Sequence, residues 1–287
     1  MKPSRSEFLD IRGLRYHLRC WGPDTAPPLV ILHGWMDVSN SFQFVVDALQ
    51  SEWRVIAPDL RGFGLTEWAP DTYWFPEYYA DLEAILDTLT PDAAVNLAGH
   101  SMGSQVASMY AGIRPERISK LIVLDGLNVP DMPPELAPKR LRKWLDQIKE
   151  PQSHKDYDDF EALAERIRKH HAGLSPERAL QVARGWGQRN QAGRVELVGD
   201  PKHRIHGPSL YRLAEAEAVW KEVTAPALCI DGATSPMFKM LGEEEVSRRR
   251  ATFRDSRTVV IPDCGHMVHF DAPETVAATM EQFLLDT

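Results

Sequence analysis

Cysteine is scarce. The 287 residues hold three, Cys20, Cys229 and Cys264, far apart and odd in number. They supply neither a disulfide framework nor a paired CxxC metal site, so the expected compartment is a reducing one, the cytoplasm. Basic residues are also in deficit: 33 Lys and Arg stand against 41 Asp and Glu, for a net charge of −8. That balance argues against nucleic acid or an anionic membrane surface as the main partner, because either would call for a basic face. No apolar run approaches the length of a membrane span, and the amino-terminal MKPSRSEFLDIRG lacks the apolar centre of a signal peptide. Internal repeats and low-complexity tracts are missing too. The segment RGFGLTE contains a G-x-G that never becomes G-x-G-x-x-G, so no dinucleotide cofactor is expected. His203-Arg204-Ile205-His206 and His170-His171 have no carboxylate or cysteine at metal-site spacing on the same element; they read as solvated residues, and no metal is expected from them.

What is present is an alternation. PLVILHG (28–34), WRVIAPD (53–59), AVNLAGH (94–100), KLIVLDG (120–126), PALCIDG (226–232) and RTVVIPDCGH (257–266) each read as a buried strand ending in glycine or a polar residue. RYHLRCW (15–21) alternates like an edge strand. Helical patterns fall between them, at roughly 40–50, 76–89, 102–113 and 273–286. Near-continuous apolar strands separated by helices specify a mostly parallel sheet covered on both faces. Between about Leu127 and Val223 the alternation stops. The sequence there is charged, helical and punctuated by proline, with no convincing strand. It reads as a helical cap, 127–222, inserted into a core of 1–126 and 223–287 and placed over the carboxyl ends of the strands, where ligands bind in such sheets. The runs Glu243-Glu244-Glu245 and Arg248-Arg249-Arg250 read as a solvated helix face. The aromatic-dense TYWFPEYY (72–79) suits either an apolar pocket wall or ordinary packing.

The chemistry concentrates at the strand ends. Gly99-His100-Ser101-Met102-Gly103 is G-x-S-x-G between an apolar strand and a helix-forming run, the context of a nucleophile elbow. A serine nucleophile needs a histidine base late in the chain, and His266 follows the last strand. His269 comes three residues later and is expected to play a supporting or structural part. An oxyanion needs two donors. The N–H of Met102, just after the serine, is one; the N–H of Trp35, after the turn at His33-Gly34, is the other.

Together, His33-Gly34-Trp35, PDLRGFGLTEW (58–68), Gly99 to Gly103 and Cys264-Gly265-His266 make the chain resemble the α/β-hydrolase superfamily from Tyr16 to the terminal helix. HGWMDVSNSFQFVVDAL, LDGLNVP and KHRIHGPSLYRLAEAEAVW are similar to the serine-hydrolase-like group of esterase-like proteins. The resemblance implies an α/β fold with a mostly parallel sheet of about eight strands, hydrolysis through a serine acyl-enzyme, and no cofactor. The expected partner is a small molecule with an apolar part, a small to medium carboxylic ester before others. A C–C bond hydrolase of a diketone-like substrate would use the same residues, although many of those carry Asn where this chain has His100. A non-catalytic ligand-binding member is the remaining rival. The superfamily's triad acid typically lies three residues past the glycine ending the strand after the cap; Ser235 stands there and carries no charge. Some members take the acid from the end of the strand after the nucleophile helix, which here is Asp125. Asp125 is therefore the expected acid and Asp231 the alternative.

Overall fold

The computed structural model describes residues 1–171 and 173–286. Its strands are β1 (Ser4–Ile11), β2 (Leu14–Trp21), β3 (Pro28–Leu32), β4 (Arg54–Pro58), β5 (Val95–His100), β6 (Ile118–Leu124), β7 (Gly187–Arg189), β8 (Val195–Leu197), β9 (Ala227–Gly232) and β10 (Ser256–Ile261). The helices are α1 (Gln43–Ala48), α2 (Phe75–Leu89), α3 (Met102–Ile113), α4 (Ala137–Gln147), α5 (Phe160–His170), α6 (Pro176–Trp186), α7 (Leu213–Trp220), α8 (Pro236–Leu241), α9 (Glu243–Arg250), α10 (Val268–Asp271) and α11 (Pro273–Leu285). Eight strands form one sheet in the order β1-β2-β4-β3-β5-β6-β9-β10. The β1–β2 and β2–β4 pairs are antiparallel and every other pair is parallel.

Each face of the sheet carries its own core, and β3 shows why. Its side chains alternate, Val30 and Leu32 entering one cluster and Leu29 and Ile31 the other, as the two-residue period of a strand requires. The first cluster packs Leu82 and Ile85 of α2, Tyr110 of α3 and Trp220 of α7. The second packs Val45 and Val46 of α1 and Val276, Met280 and Phe283 of α11. From β3 the chain passes to β4 on one side, and β5 lies on the other. The direction of winding therefore reverses between β3 and β5, and the crevice beyond their carboxyl ends is where such sheets bind ligands. Trp35 and Ser101 sit there.

Four expectations need correction. The strand at 15–21 is not the edge: β1 pairs outside it along its whole length, from Ser4↔Trp21 to Ile11↔Leu14. β1 has an alternating exposure pattern, but charged residues at several of its half-buried positions hid it. The insertion is not wholly helical, because β7 and β8 form a short antiparallel hairpin. Its last helix, α7, buries Ala216 and Trp220 in the first core cluster, so that end of the 127–222 segment packs as part of the core layer. Lastly, Arg249 and Arg250 are buried rather than solvated. Arg249 donates to the carbonyls of Leu127 and Val129 at 2.9 and 2.7 Å, and Arg250 pairs with Asp231 at 2.5 Å.

Asp59, just past β4, holds the loops that frame the crevice. It is buried and accepts from Ser39 N at 2.7 Å, Leu65 N at 2.9 Å and His17 Nδ1 at 2.7 Å. Burial opposes its charge, but the bond and charge of His17, then the charge of His33 and the Leu65 N–H, outweigh it and keep the carboxyl below its usual value. A carboxyl lowered in the folded state stabilises the fold above its unfolded pKa of about 3.9, and that contribution fades as the pH falls through the lower folded value. Asp59→Asn is expected to cost about 2–4 kcal/mol in urea unfolding at pH 7, because three donors lose a charged acceptor. The gap to the parent should close in acid. An unchanged midpoint at pH 7 would contradict this account.

Candidate active site

Ser101 directly follows β5 in a strained backbone conformation of positive φ, φ 50° and ψ −112°, that non-glycine residues rarely adopt. Glycines make the bend possible. A Cβ on Gly99 would lie 2.3 Å from the carbonyl oxygen of Gly103, and one on Gly103 would lie 2.2 Å from that of Leu32. Helix α3 begins at the next residue, and its first bond visible at this end runs from Gln105 N to Ser101 O at 3.1 Å. The Met102 N–H, in the first turn, has no intrahelical acceptor and points out of the helix start.

His266 follows β10 on the loop before α10. Its Nε2 lies 3.0 Å from Ser101 Oγ and its Nδ1 2.6 Å from Asp125 Oδ2. Asp125 follows β6, is fully buried, and has a positive φ of its own. Its carboxylate is saturated: Gly232 N donates to Oδ1 at 3.1 Å, and Ser235 Oγ donates to Oδ2 at 2.6 Å. Ser235 thus stands where an acid was sought and serves the acid from the neighbouring strand end. That role leaves no mark in sequence, since serine after a strand is common.

Asp231 is on the same pair of strand ends but turned away. It contacts Arg250 and makes no approach to His266. Burial pushes its carboxyl up to about 7, with Arg250 pulling in the opposite sense. His269 is buried, and Asp37 faces it. His100, inside the elbow, donates from Nε2 to the carbonyl oxygen of His266 at 2.9 Å. Burial, and then the charges of His269 and His266, hold its pKa well below the usual histidine value, so the ring is neutral. His203, expected to be solvated, is stacked between Phe63 and Tyr73 at centroid distances of 3.8 and 3.7 Å, and burial lowers its pKa to about 3. His170 remains exposed.

A cleft of ≈ 260 Å³ opens above Ser101 and His266. Trp35, Phe75, Met102, Leu127, Val129 and Met237 give it apolar walls, and Gln105 and Asn128 supply amides. Trp35 and Met102 therefore lie beside Ser101, and the Trp35 indole N–H bonds to the His203 carbonyl of the insertion at 3.2 Å. Among the described residues no helix is long and apolar enough to cross a membrane.

Comparison with known families matches residues 27–273 to the model of the alpha/beta hydrolase fold. The chain belongs to the α/β-hydrolase fold family. It is a hydrolase of that family and is similar to serine hydrolase-like proteins within it. A serine hydrolase-like protein of Danio rerio is 28% identical over 99% of this chain and 90% of its own length. A 3-hydroxybutyrate-oligomer hydrolase of Cupriavidus necator is 28% identical over 95% of this chain and 93% of the relative. Among solved structures, a thioesterase domain from the curacin biosynthetic pathway superposes with a TM-score of 0.88 at 25% identity, covering 98% of this chain and 99% of that one.

The two strand-end carboxylates make opposite predictions. Asp125→Asn removes the charged acceptor at His266 Nδ1 and should slow reaction of Ser101 with a fluorophosphonate by about 10²–10⁴-fold while the fold survives. Asp231→Asn should leave labelling within a few-fold and lower stability by about 3 kcal/mol, because Arg250 loses its buried counter-charge. Labelling rates and urea midpoints of both variants check the assignment, and a reversed pattern would make Asp231 the acid.

Proposed function

We propose that this chain hydrolyses a carboxylic ester of small to medium size through a covalent acyl-enzyme on Ser101. The observation that carries the reading is the continuous chain Ser101 Oγ, His266 Nε2, His266 Nδ1, Asp125 Oδ2, with separations of 3.0 and 2.6 Å across the imidazole. Ser101 Oγ attacks the ester carbonyl as its proton passes to His266 Nε2. Asp125 fixes the tautomer with the proton on Nδ1 and stabilises the imidazolium that forms. The N–H groups of Trp35 and Met102 hold the oxyanion. His266 returns the proton to the leaving alkoxide, the C–O bond breaks, and the alcohol departs. Water, deprotonated by His266, then cleaves the acyl-serine and regenerates the enzyme.

The apolar walls of the cleft favour an acyl group with little charge, and ≈ 260 Å³ suits a compact one. The names of two relatives, a 3-hydroxybutyrate-oligomer hydrolase and a thioesterase domain, are in keeping with an acyl substrate. The insertion, through Leu127, Asn128 and Val129, supplies part of the roof and so acts as the element that selects among acyl groups. Three unpaired, buried cysteines fit work in the cytoplasm.

The test is turnover of p-nitrophenyl esters of increasing acyl length, with Ser101→Ala beside the parent. The parent should show a maximum at short to medium chains and take up one fluorophosphonate on Ser101. The variant should lose at least about 10³-fold in kcat and all labelling, its circular dichroism unchanged. Parental turnover by Ser101→Ala would overturn the reading.

A further inference from the structure

Beside the elbow, and not among the residues that line the cleft, Asp37, His100 and His269 meet in the interior, each no more than 2% exposed. They come from the loop after β3, the end of β5 and α10. One ligand-capable atom from each lies within 4.8 Å of the other two. The other deeply buried histidines of the fold are satisfied on both nitrogens: His17 by Asp59 and Ser6, His33 by Gly34 O and Leu60 N. This cluster is different. Asp37 Oδ2, His100 Nδ1 and both nitrogens of His269 have no well-formed hydrogen bond among the described residues, and His269 Nε2 faces Asp37 Oδ2 at 3.5 Å, a contact too long for a good one. Unpartnered polar atoms from three residues meeting in one buried place call for something between them.

We propose that Asp37, His100 and His269 bind one divalent transition-metal ion of the zinc class. Two imidazoles and a carboxylate are a donor set such ions prefer. An ion about 2.1 Å from both Asp37 Oδ2 and His269 Nε2, which are 3.5 Å apart, would see those atoms at about 110°, the tetrahedral angle, and His100 offers its ligand atom within 4.8 Å of both. The surroundings of two of the three ligands match as well. A metal-bound histidine normally donates its second nitrogen to a carbonyl or carboxylate, and a ligating carboxylate is itself hydrogen-bonded. His100 Nε2 donates to His266 O at 2.9 Å. Asp37 Oδ1 accepts from Val38 N and Trp186 Nε1, each at 2.8 Å, and from Ser41 Oγ, which leaves Oδ2 turned to the histidines. The ion's role is structural. On His100 Nδ1 it obliges the proton to stay on Nε2, and so pins the backbone of His266 while tying together the loops of Trp35, Ser101 and His266.

The experiment uses the full chain, stripped with a chelator and titrated with Zn²⁺ alone. Uptake of about one equivalent per chain at micromolar or tighter affinity is expected, with a rise in Tm. X-ray absorption on the zinc-loaded parent should show two imidazoles and an oxygen donor, and Co²⁺ in its place should give the visible bands of a low-coordinate ion. Asp37→Asn and His269→Gln should each weaken binding at least 100-fold, whereas changing the exposed His170 and His206 to Gln should leave it intact. No uptake would mean that the cluster holds only a proton or a buried water, and overturns the proposal. So would a spectrum lacking the two imidazoles, or uptake lost in the His170/His206 variant. Because the absorption spectrum is read on the unaltered protein, it decides the matter even if the buried variants do not fold.

Discussion

The strained, positive-φ backbone at Ser101 is the constraint on which the rest of the site depends. A non-glycine residue holds such a conformation only where its surroundings over-determine it, and here the surroundings are main chain. Gly99 and Gly103 pack so closely that neither tolerates a Cβ, the second against the carbonyl of Leu32 at the end of β3. This contact joins the elbow to the strand whose following loop carries Trp35. The same closeness recurs one residue into that loop, where a Cβ on Gly34 would lie 2.9 Å from His100 Nδ1. The serine, the neighbouring histidine and the two candidate oxyanion donors are thus fixed relative to one another by close approach to glycine, main chain against main chain at Gly99 and Gly103 and the His100 ring against main chain at Gly34.

A second constraint is the pairing of β6 with β9. Leu124 stands opposite Ile230, and Asp125 N continues the ladder to Ile230 O at 2.7 Å. Asp125 and Asp231 are therefore neighbours at the sheet's rim, and two carboxylates that close cannot share one environment without cost. The fold separates them by direction. The positive φ of Asp125 turns its side chain towards His266, where Gly232 N and Ser235 Oγ complete its shell; Asp231 goes to Arg250. An acid on β6 thus requires a donor rather than a charge at the site after β9, and serine at 235 meets that requirement.

Much of this was legible in the sequence because it rests on local signals. Strand and helix periods, glycine either side of Ser101, and a histidine after the final strand all lie within short windows, and they were sufficient for the alternating fold and for seven of the eight strands of the sheet. The remainder needed tertiary information. β1 was missed because an edge strand half exposed to water carries Ser, Arg, Glu and Asp, a composition that also suits a disordered start. Arg249 and Arg250 read as solvated since nothing on α9 reveals that the segment after β6 turns two carbonyls, and β9 a carboxylate, towards it. Asp37, His100 and His269 escaped for a related reason: ligand spacing along one element is visible in sequence, whereas three ligands from three segments become a group only once the sheet has closed.

The insertion is attached in a way that follows from where it sits. A purely apolar contact could slide, and the cluster formed by Leu163, Ile167, Val182 and Ala183 with Phe44 and Phe270 of the core is of that kind. Directional bonds at its margins prevent sliding. Trp186 Nε1 reaches Asp37, Trp35 Nε1 reaches the His203 carbonyl, Tyr73 OH reaches Asp200 at 2.8 Å, and Arg249 grips the Leu127 and Val129 carbonyls where the insertion leaves the sheet. At about 1 kcal/mol for each neutral bond and more for those to charged groups, lifting the whole segment costs several kcal/mol beyond the apolar surface exposed. The tryptophan and tyrosine anchors land on loops that also frame the cleft, and Arg249 holds the Leu127–Val129 segment that lines it. The roof is therefore held in register with Ser101 through the same strand-end loops that hold Ser101 itself, and substrate enters a cleft whose walls are set before it arrives.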